Sequence, residues 1–144
     1  YEFNMISSTY LKTMGVKKTI ALVQSRIMKN IAYKIGIDVA ISFKDVVVDS
    51  IMSKLLGANV LGYHTMCDGT LEIMELEIKE TSNVVGKTLK EIAKHGVFLI
   101  LLLNKNGSYQ IPKGDTLLDA LDKIIFIVEA KHSTEIIQLF SGKK

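Results

Sequence analysis

Apolar residues recur along this chain at two different spacings, and the change from one to the other falls across residues 58–69. In the first part Met5, Ile6, Leu11 and Met14 return at helical intervals, predicting a helix ended by Gly15, which accepts a left-handed cap. "TIALV" (residues 19–23) is short and apolar throughout, the pattern of a strand buried on both faces of a parallel sheet. Ser25 is placed to cap a second helix with an inward stripe of Ile27 or Met28, Ile31 and Ile35, closed by Gly36. "DVAIS" (residues 38–42) predicts another buried strand. A third helix carries Val48, Ile51, Met52 and Leu55 along one side and stops at Gly57. Alternating helices and strands with short joints predict half of a doubly wound α/β sheet over residues 1–57. Its glycine-rich phosphate turn belongs to a segment before Tyr1, so the natural protein is expected to extend further toward the N-terminus.

Residues 58–69, with Gly62 and Gly69 and no stable periodicity, predict a linker. Beyond it, over residues 70–144, the pattern is that of a small α+β domain. "LEIMELEIKE" alternates apolar and acidic positions with one slip at Ile73–Met74 that would suit a bulge. A short helix follows, with Leu89 and Ile92 inward and Gly96 as its stop. "VFLILLL" and "IIFIV" predict core strands, the first followed by a hairpin turn at "NKNG". A last helix from Ser133 turns Ile136, Ile137, Leu139 and Phe140 toward the sheet.

Composition changes this picture little. Hydrophobic residues make up 48% of the 144 positions, enough for an aliphatic core, and tryptophan is absent. The formal charge of +3 is too small to imply a nucleic-acid partner. It is unevenly placed, with eight basic and four acidic residues in 1–57 but ten of each in 70–144, as two separate units would show. A single cysteine, Cys67, excludes an internal disulfide and fits a reducing compartment. The longest apolar run, Val97–Leu103, is far below the roughly 20 residues of a membrane helix.

Candidate chemistry is sparse. "VGKT" (residues 85–88) resembles the end of a phosphate loop, but the first glycine that such a loop requires is replaced by Thr81. His64 and Cys67 stand three apart with no second pair to complete a zinc site, so no metal is expected. His95 beside Gly96 would favour the negative end of a helix, and His132 has no neighbouring partner in sequence. Glu72, Glu75 and Glu77 would lie on the outer, solvated face of a strand, not as a paired-carboxylate site. No catalytic residue emerges, and the chain is expected not to be an enzyme.

"GKTLKEI" followed by "VFLILLLNKNGSYQIPKGDTLLDALDKIIFIV" resembles the C-terminal regulatory domain of TrkA-type regulators of potassium conductance, the RCK family. The shared elements are a glycine–lysine–x–leucine helix start, an apolar strand, an asparagine–glycine hairpin and a proline–x–glycine–aspartate–threonine turn. Asp122 matches the acidic residue before the last core strand, but Leu121 stands where the family usually has glycine. Residues 1–57 are similar to the second half of the family's Rossmann-like nucleotide-binding domain, with Glu2 and Asn4 as its acidic–x–asparagine signature and residues 43–56 as the crossover helix.

The resemblance implies a cytoplasmic gating subunit, held at the membrane by a membrane-embedded Trk potassium channel or transporter partner and assembled as a homo-oligomer, from a dimer up to a tetrameric or larger ring. It implies NAD or ATP as the cofactor of the full-length family member, with none expected in the residues here, and a small nucleotide effector near Lys105, Ile111 and Pro112. Two other readings stay open from the residues: a truncated NAD-dependent oxidoreductase and a free-standing small-ligand sensor.

Overall fold

The computed structural model describes residues 1–94 and 96–142. They fall into two units, Tyr1–Ile51 and Met52–Lys144. In the first, α1 (Glu2–Thr13) leads to β1 (Ile20–Val23), α2 (Arg26–Lys34), β2 (Val39–Ser42) and the start of α3 (Phe43–Leu55). β1 and β2 pair in parallel, Ile20 opposite Val39 through Val23 opposite Ser42. Ser25 caps α2 by accepting the Met28 amide at 3.5 Å. The core is one-sided: Met5, Ala21, Val23, Ala32, Ile37 and Ala40 are buried together.

That arrangement corrects two expectations. β1 is not covered on both faces, because Ile20 and Leu22 alternate outward and are 61% and 42% exposed. The inward face of α2 runs through Met28, one of the two expected starts of the stripe, and Ala32, and not through Ile27, Ile31 and Ile35. Those three form the next stripe round the helix, about 100° away. Val48, Ile51 and Leu55 on α3 are likewise exposed.

One ion pair organises this unit. Asp38, just before β2, accepts the Thr19 amide at 2.6 Å and lies 2.9 Å from the Lys12 ammonium. The Lys12 hydrogen bond, and after it the Thr19 amide, hold the Asp38 carboxyl down to about 2. A carboxylate with a depressed folded-state pKa stabilises above its unfolded value and loses that contribution as pH falls through the folded one. Protection of the β1 and β2 amides from hydrogen exchange is therefore expected to hold above pH ~4 and decline toward pH ~2. Asp38→Asn should flatten the decline; an unchanged profile would refute the assignment.

The second unit is an antiparallel sheet in the order β3-β4-β7-β5-β6, with β3 Val60–Met66, β4 Leu71–Glu77, β5 Phe98–Lys105, β6 Ser108–Gln110 and β7 Lys123–Glu129. α4 (Leu89–Ile92) and α5 (Ser133–Ser141) complete it. One face of the sheet, with Met74, Leu76, Leu103, Ile124, Phe126 and Val128, packs with Ile136, Ile137 and Phe140 of α5.

Residues 58–69, expected as a linker, instead carry β3. Its edge position and the glycine opposite Glu75 hide the strand pattern, since half of its neighbours are solvent. The bulge is in β3, between Val60 and Gly62, and not at Ile73–Met74, where β4 pairs with β7 without a break. Continuous register puts Glu72 on the same face as Met74 and Leu76, so it is buried and not on the solvated face.

The turn before β7 is built on Leu121 at φ 67, the left-handed region that glycine enters without a side-chain clash. The turn is held there because the Leu121 amide donates to Ile78 O and the Ile78 amide to Asp122 O, both at 2.8 Å. Leu121 is 60% exposed, so its side chain returns little burial for the strain. Leu121→Gly is expected to raise stability by about 1 kcal/mol. A lower denaturation midpoint in urea would count against this.

Candidate ligand groove

The two signature segments meet in space. The Gly86 amide donates to Leu118 O at 2.8 Å and the Leu118 amide to Lys87 O at 3.0 Å. The Leu89 amide reaches Thr116 O at 3.1 Å and the Lys90 amide Gly114 O at 2.8 Å. At Gly114 a Cβ would stand 2.9 Å from Lys90 Cγ and Cε, so a larger residue there would have to displace the Lys90 side chain. Thr88 and Glu91 form a reciprocal capping box, the Thr88 amide donating to Glu91 Oε2 at 2.6 Å. That amide, followed by the Thr88 hydroxyl, keeps the Glu91 carboxyl below the usual range.

Beside this junction lies a groove of about 650 Å³. Its walls are apolar: Leu89 and Ile92 of α4, Phe98, Leu99 and Ile100 of β5, and Pro112. Charged side chains at Lys90, Lys94, Lys113 and Glu129 also line it. The volume is that of a small-molecule cleft, and apolar walls with few charged groups suit an amphipathic ligand.

The structure treats the expected site residues unequally. Pro112 lines the groove, while Ile111 beside it is 81% exposed. Lys105 lies at the end of β5 and is already paired, 2.5 Å from Asp119 Oδ2 and 3.3 Å from Asp122 Oδ2. Burial works against its charge, but the two carboxylates outweigh burial and hold the ammonium above the usual lysine range. Asp122 also accepts the Asp119 amide at 2.9 Å, so Lys105 clamps the turn that carries Leu121.

In the first unit Asn4 donates its side-chain amide to Leu22 O at 2.9 Å, tying α1 to β1, and Glu2 stands in the first turn of that helix. Cys67 is exposed, and no group of three His, Cys, Asp or Glu among the described residues is placed to hold a metal. His132 Nδ1 stands 3.6 Å from Glu135. His95 lies outside the described residues. Lys90 and Lys113, which the sequence reading missed, line the groove; their only signal was the pairing of the two motifs that carry them.

Residues 73–141 match the TrkA-C domain family. The second unit thus resembles a TrkA-C domain. Over 137 residues the chain is 28% identical to a Trk system potassium uptake protein TrkA of Azorhizobium caulinodans, covering 95% of this chain and 30% of that protein. It is 26% identical to a Trk system potassium uptake protein TrkA homolog 1 of Methanosarcina mazei, covering 96% and 31%. The chain thus spans about a third of the length of these curated relatives.

Among solved structures, the GsuK channel aligns at TM-score 0.56 and 15% identity, over 98% of this chain and 26% of that one. The GsuK RCK domain aligns at 0.50 and 19%, over 88% and 28%. The α/β first unit and the α+β second unit therefore have the RCK fold.

Proposed function

We propose that this chain is the regulatory part of a Trk-type potassium uptake system, working at the cytoplasmic face by coupling ligand binding to transport without catalysis. The observation that carries the reading is the match to the TrkA-C family, with a ligand-sized apolar groove beside its signature turn. Support also comes from relatives named for potassium uptake that align over nearly the whole chain. In this reading the ion path belongs to a membrane-embedded partner chain; among the described residues no helix is long and apolar enough to cross a membrane.

In this reading the protein acts as a homo-oligomer, and a ligand that binds one arrangement of the subunits better than another shifts their equilibrium and loads the partner. A small anionic effector, a nucleotide among the candidates, meets the groove at Pro112 with Lys90 and Lys113 as counter-charges. Lys105 joins such a ligand only by leaving Asp119. Nucleotide binding, NAD or ATP, is assigned to the full-length family member and not to the residues here, where Asn4 donates its side-chain amide to the main chain of Leu22.

The test is uptake of potassium or rubidium in cells deleted for the gene. Uptake should fall and return with a plasmid-borne copy; unchanged uptake where no paralogue exists would remove the proposal. Co-purification of a multi-span membrane protein with the full-length chain should accompany it.

A further inference from the structure

An asparagine can be attacked at its side-chain carbonyl by the main-chain nitrogen of the residue that follows it. Glycine in that place hinders the attack least, because it carries no Cβ. Asn4, Asn30, Asn59, Asn83 and Asn104 are each followed by a larger residue, and Asn106 alone precedes glycine. Asn106 and Gly107 form the two-residue turn between β5 and β6, flanked by the pair Lys105 and Ser108, and both are exposed. There is room around the nitrogen too, since a Cβ at Gly107 would meet nothing within 4 Å.

One side chain restrains that nitrogen. The Gly107 amide donates to Asn104 Oδ1 at 2.8 Å. With Asn106 at φ 52 and Gly107 at φ 86, the turn has the left-handed pair of a tight hairpin. Ring closure needs the hydrogen bond broken and the Asn106 main chain rotated, so it proceeds from a locally opened hairpin. Opening is cheap here. β6 is a three-residue strand at the edge of the sheet, paired with β5 at Leu103, Asn104 and Lys105.

We propose that Asn106 is a site of spontaneous modification, converted to aspartate and isoaspartate at a rate that Asn104 governs by holding the Gly107 amide. The deprotonated Gly107 nitrogen attacks Asn106 Cγ, a new C–N bond forms, and the side-chain nitrogen leaves as ammonia. Water then opens the cyclic imide at either carbonyl, giving aspartate on one side and isoaspartate on the other. Nothing is oxidised or reduced, and water is the only co-reactant. Both products set a carboxylate next in sequence to Lys105, whose ammonium is held by Asp119 and Asp122. Isoaspartate also adds an atom to the main chain of the turn, which breaks the register of β6 with β5. The reaction needs no ligand and no transport partner.

The experiment incubates the whole chain at mildly alkaline pH and follows the tryptic peptide 106–113 by mass spectrometry; that peptide contains no other asparagine. Conversion over days is expected, ahead of every other asparagine, with isoaspartate among the products. It should be faster as pH rises, because the attacking nitrogen must lose its proton. Asn104→Ala should speed it about three- to tenfold, the factor that an ordinary hydrogen bond represents. Asn104→Asp keeps an acceptor oxygen in the same place and should convert as slowly as the unmodified chain. In concentrated urea the three chains should convert at one rate, because the protection belongs to the folded hairpin. Amide exchange across β7 checks that each variant keeps its sheet. The isoaspartate form, separated by its added charge, should exchange the amides of residues 108–110 faster than the unmodified chain.

A folded chain in which Asn106 stays intact while the urea-unfolded chain converts would overturn the proposal, and so would earlier conversion at any other asparagine. Equal rates for Asn104→Ala and the unmodified chain would remove the role of Asn104, as would an Asn104→Asp variant as fast as Asn104→Ala. Unchanged exchange at residues 108–110 in the isoaspartate form would refute the effect on β6.

Discussion

Phe140→Ala is expected to destabilise the second unit by about 3–5 kcal/mol. Phe140 is fully buried near the end of α5. Its ring lies 5.8 Å from Phe126 in a tilted pair and 6.0 Å from Phe98 edge-on at 85°. It therefore joins the helix to two strands, β7 and β5, through contacts that favour these geometries beyond simple area. Removing it deletes a ring from a close-packed site whose other walls, Met74, Phe126 and Ile136, are themselves fully buried and have little room to collapse. A domain of this size has a total stability of about 5–15 kcal/mol, so the variant should sit near its unfolding threshold at 37 °C. Urea denaturation gives the number. Leu99→Ala, at a position 61% exposed, serves as the control and should cost about 0.5 kcal/mol or less. A Phe140 variant within about 1 kcal/mol of the unmodified chain would mean that α5 does not anchor this sheet.

The same helix shows why parts of the fold were legible in the sequence. Ile136, Ile137 and Phe140 repeat at helical spacing after Ser133, and the apolar runs of β5 and β7 have few other solutions than central strands. The hairpin at Asn106–Gly107 was legible for a local reason: both residues take positive φ, and the Gly107 amide donates to Asn104 Oδ1 at 2.8 Å. β6 and β3 were not legible. Both are edge strands, paired on one side only, so neither needs the alternation that burial imposes.

The exposed isoleucines of α2 failed differently. Three branched residues four apart make a better-looking stripe than Met28 and Ala32, yet the helix packs close to β1 and β2, where small Ala32, Ala21 and Ala40 fit. Periodicity identified the helix but not its buried face. At the candidate site, Pro112 was legible from the turn signature, whereas Lys105 was misjudged because nothing local reveals that Asp119 and Asp122 already hold it.

Glu72 is the most informative failure, and it carries the second large prediction. Alternation counted from Glu75 and Glu77 put all three acids on one face, but residues 72 and 75 are an odd number apart and a continuous strand must send them to opposite faces. Glu72 is 9% exposed; its Oε1 accepts the Tyr63 hydroxyl at 2.8 Å, and its Oε2 has no hydrogen-bond partner among the described residues. Burying a carboxylate is costly unless its oxygens are met, so the Tyr63 bond matters more than an ordinary one.

Tyr63→Phe is accordingly expected to cost about 2–3 kcal/mol, because the carboxylate is then left buried with neither oxygen paired. Glu72→Met should cost little, since it removes the orphaned oxygen and supplies an apolar side chain to the row of Met74 and Leu76. The decisive variant is the double one. If the penalty of Tyr63→Phe comes from the stranded carboxylate, adding Glu72→Met should recover most of it, leaving a coupling of at least about 1 kcal/mol in the double-mutant cycle. Additive effects would instead mean that the Tyr63 hydroxyl acts through a group other than Glu72.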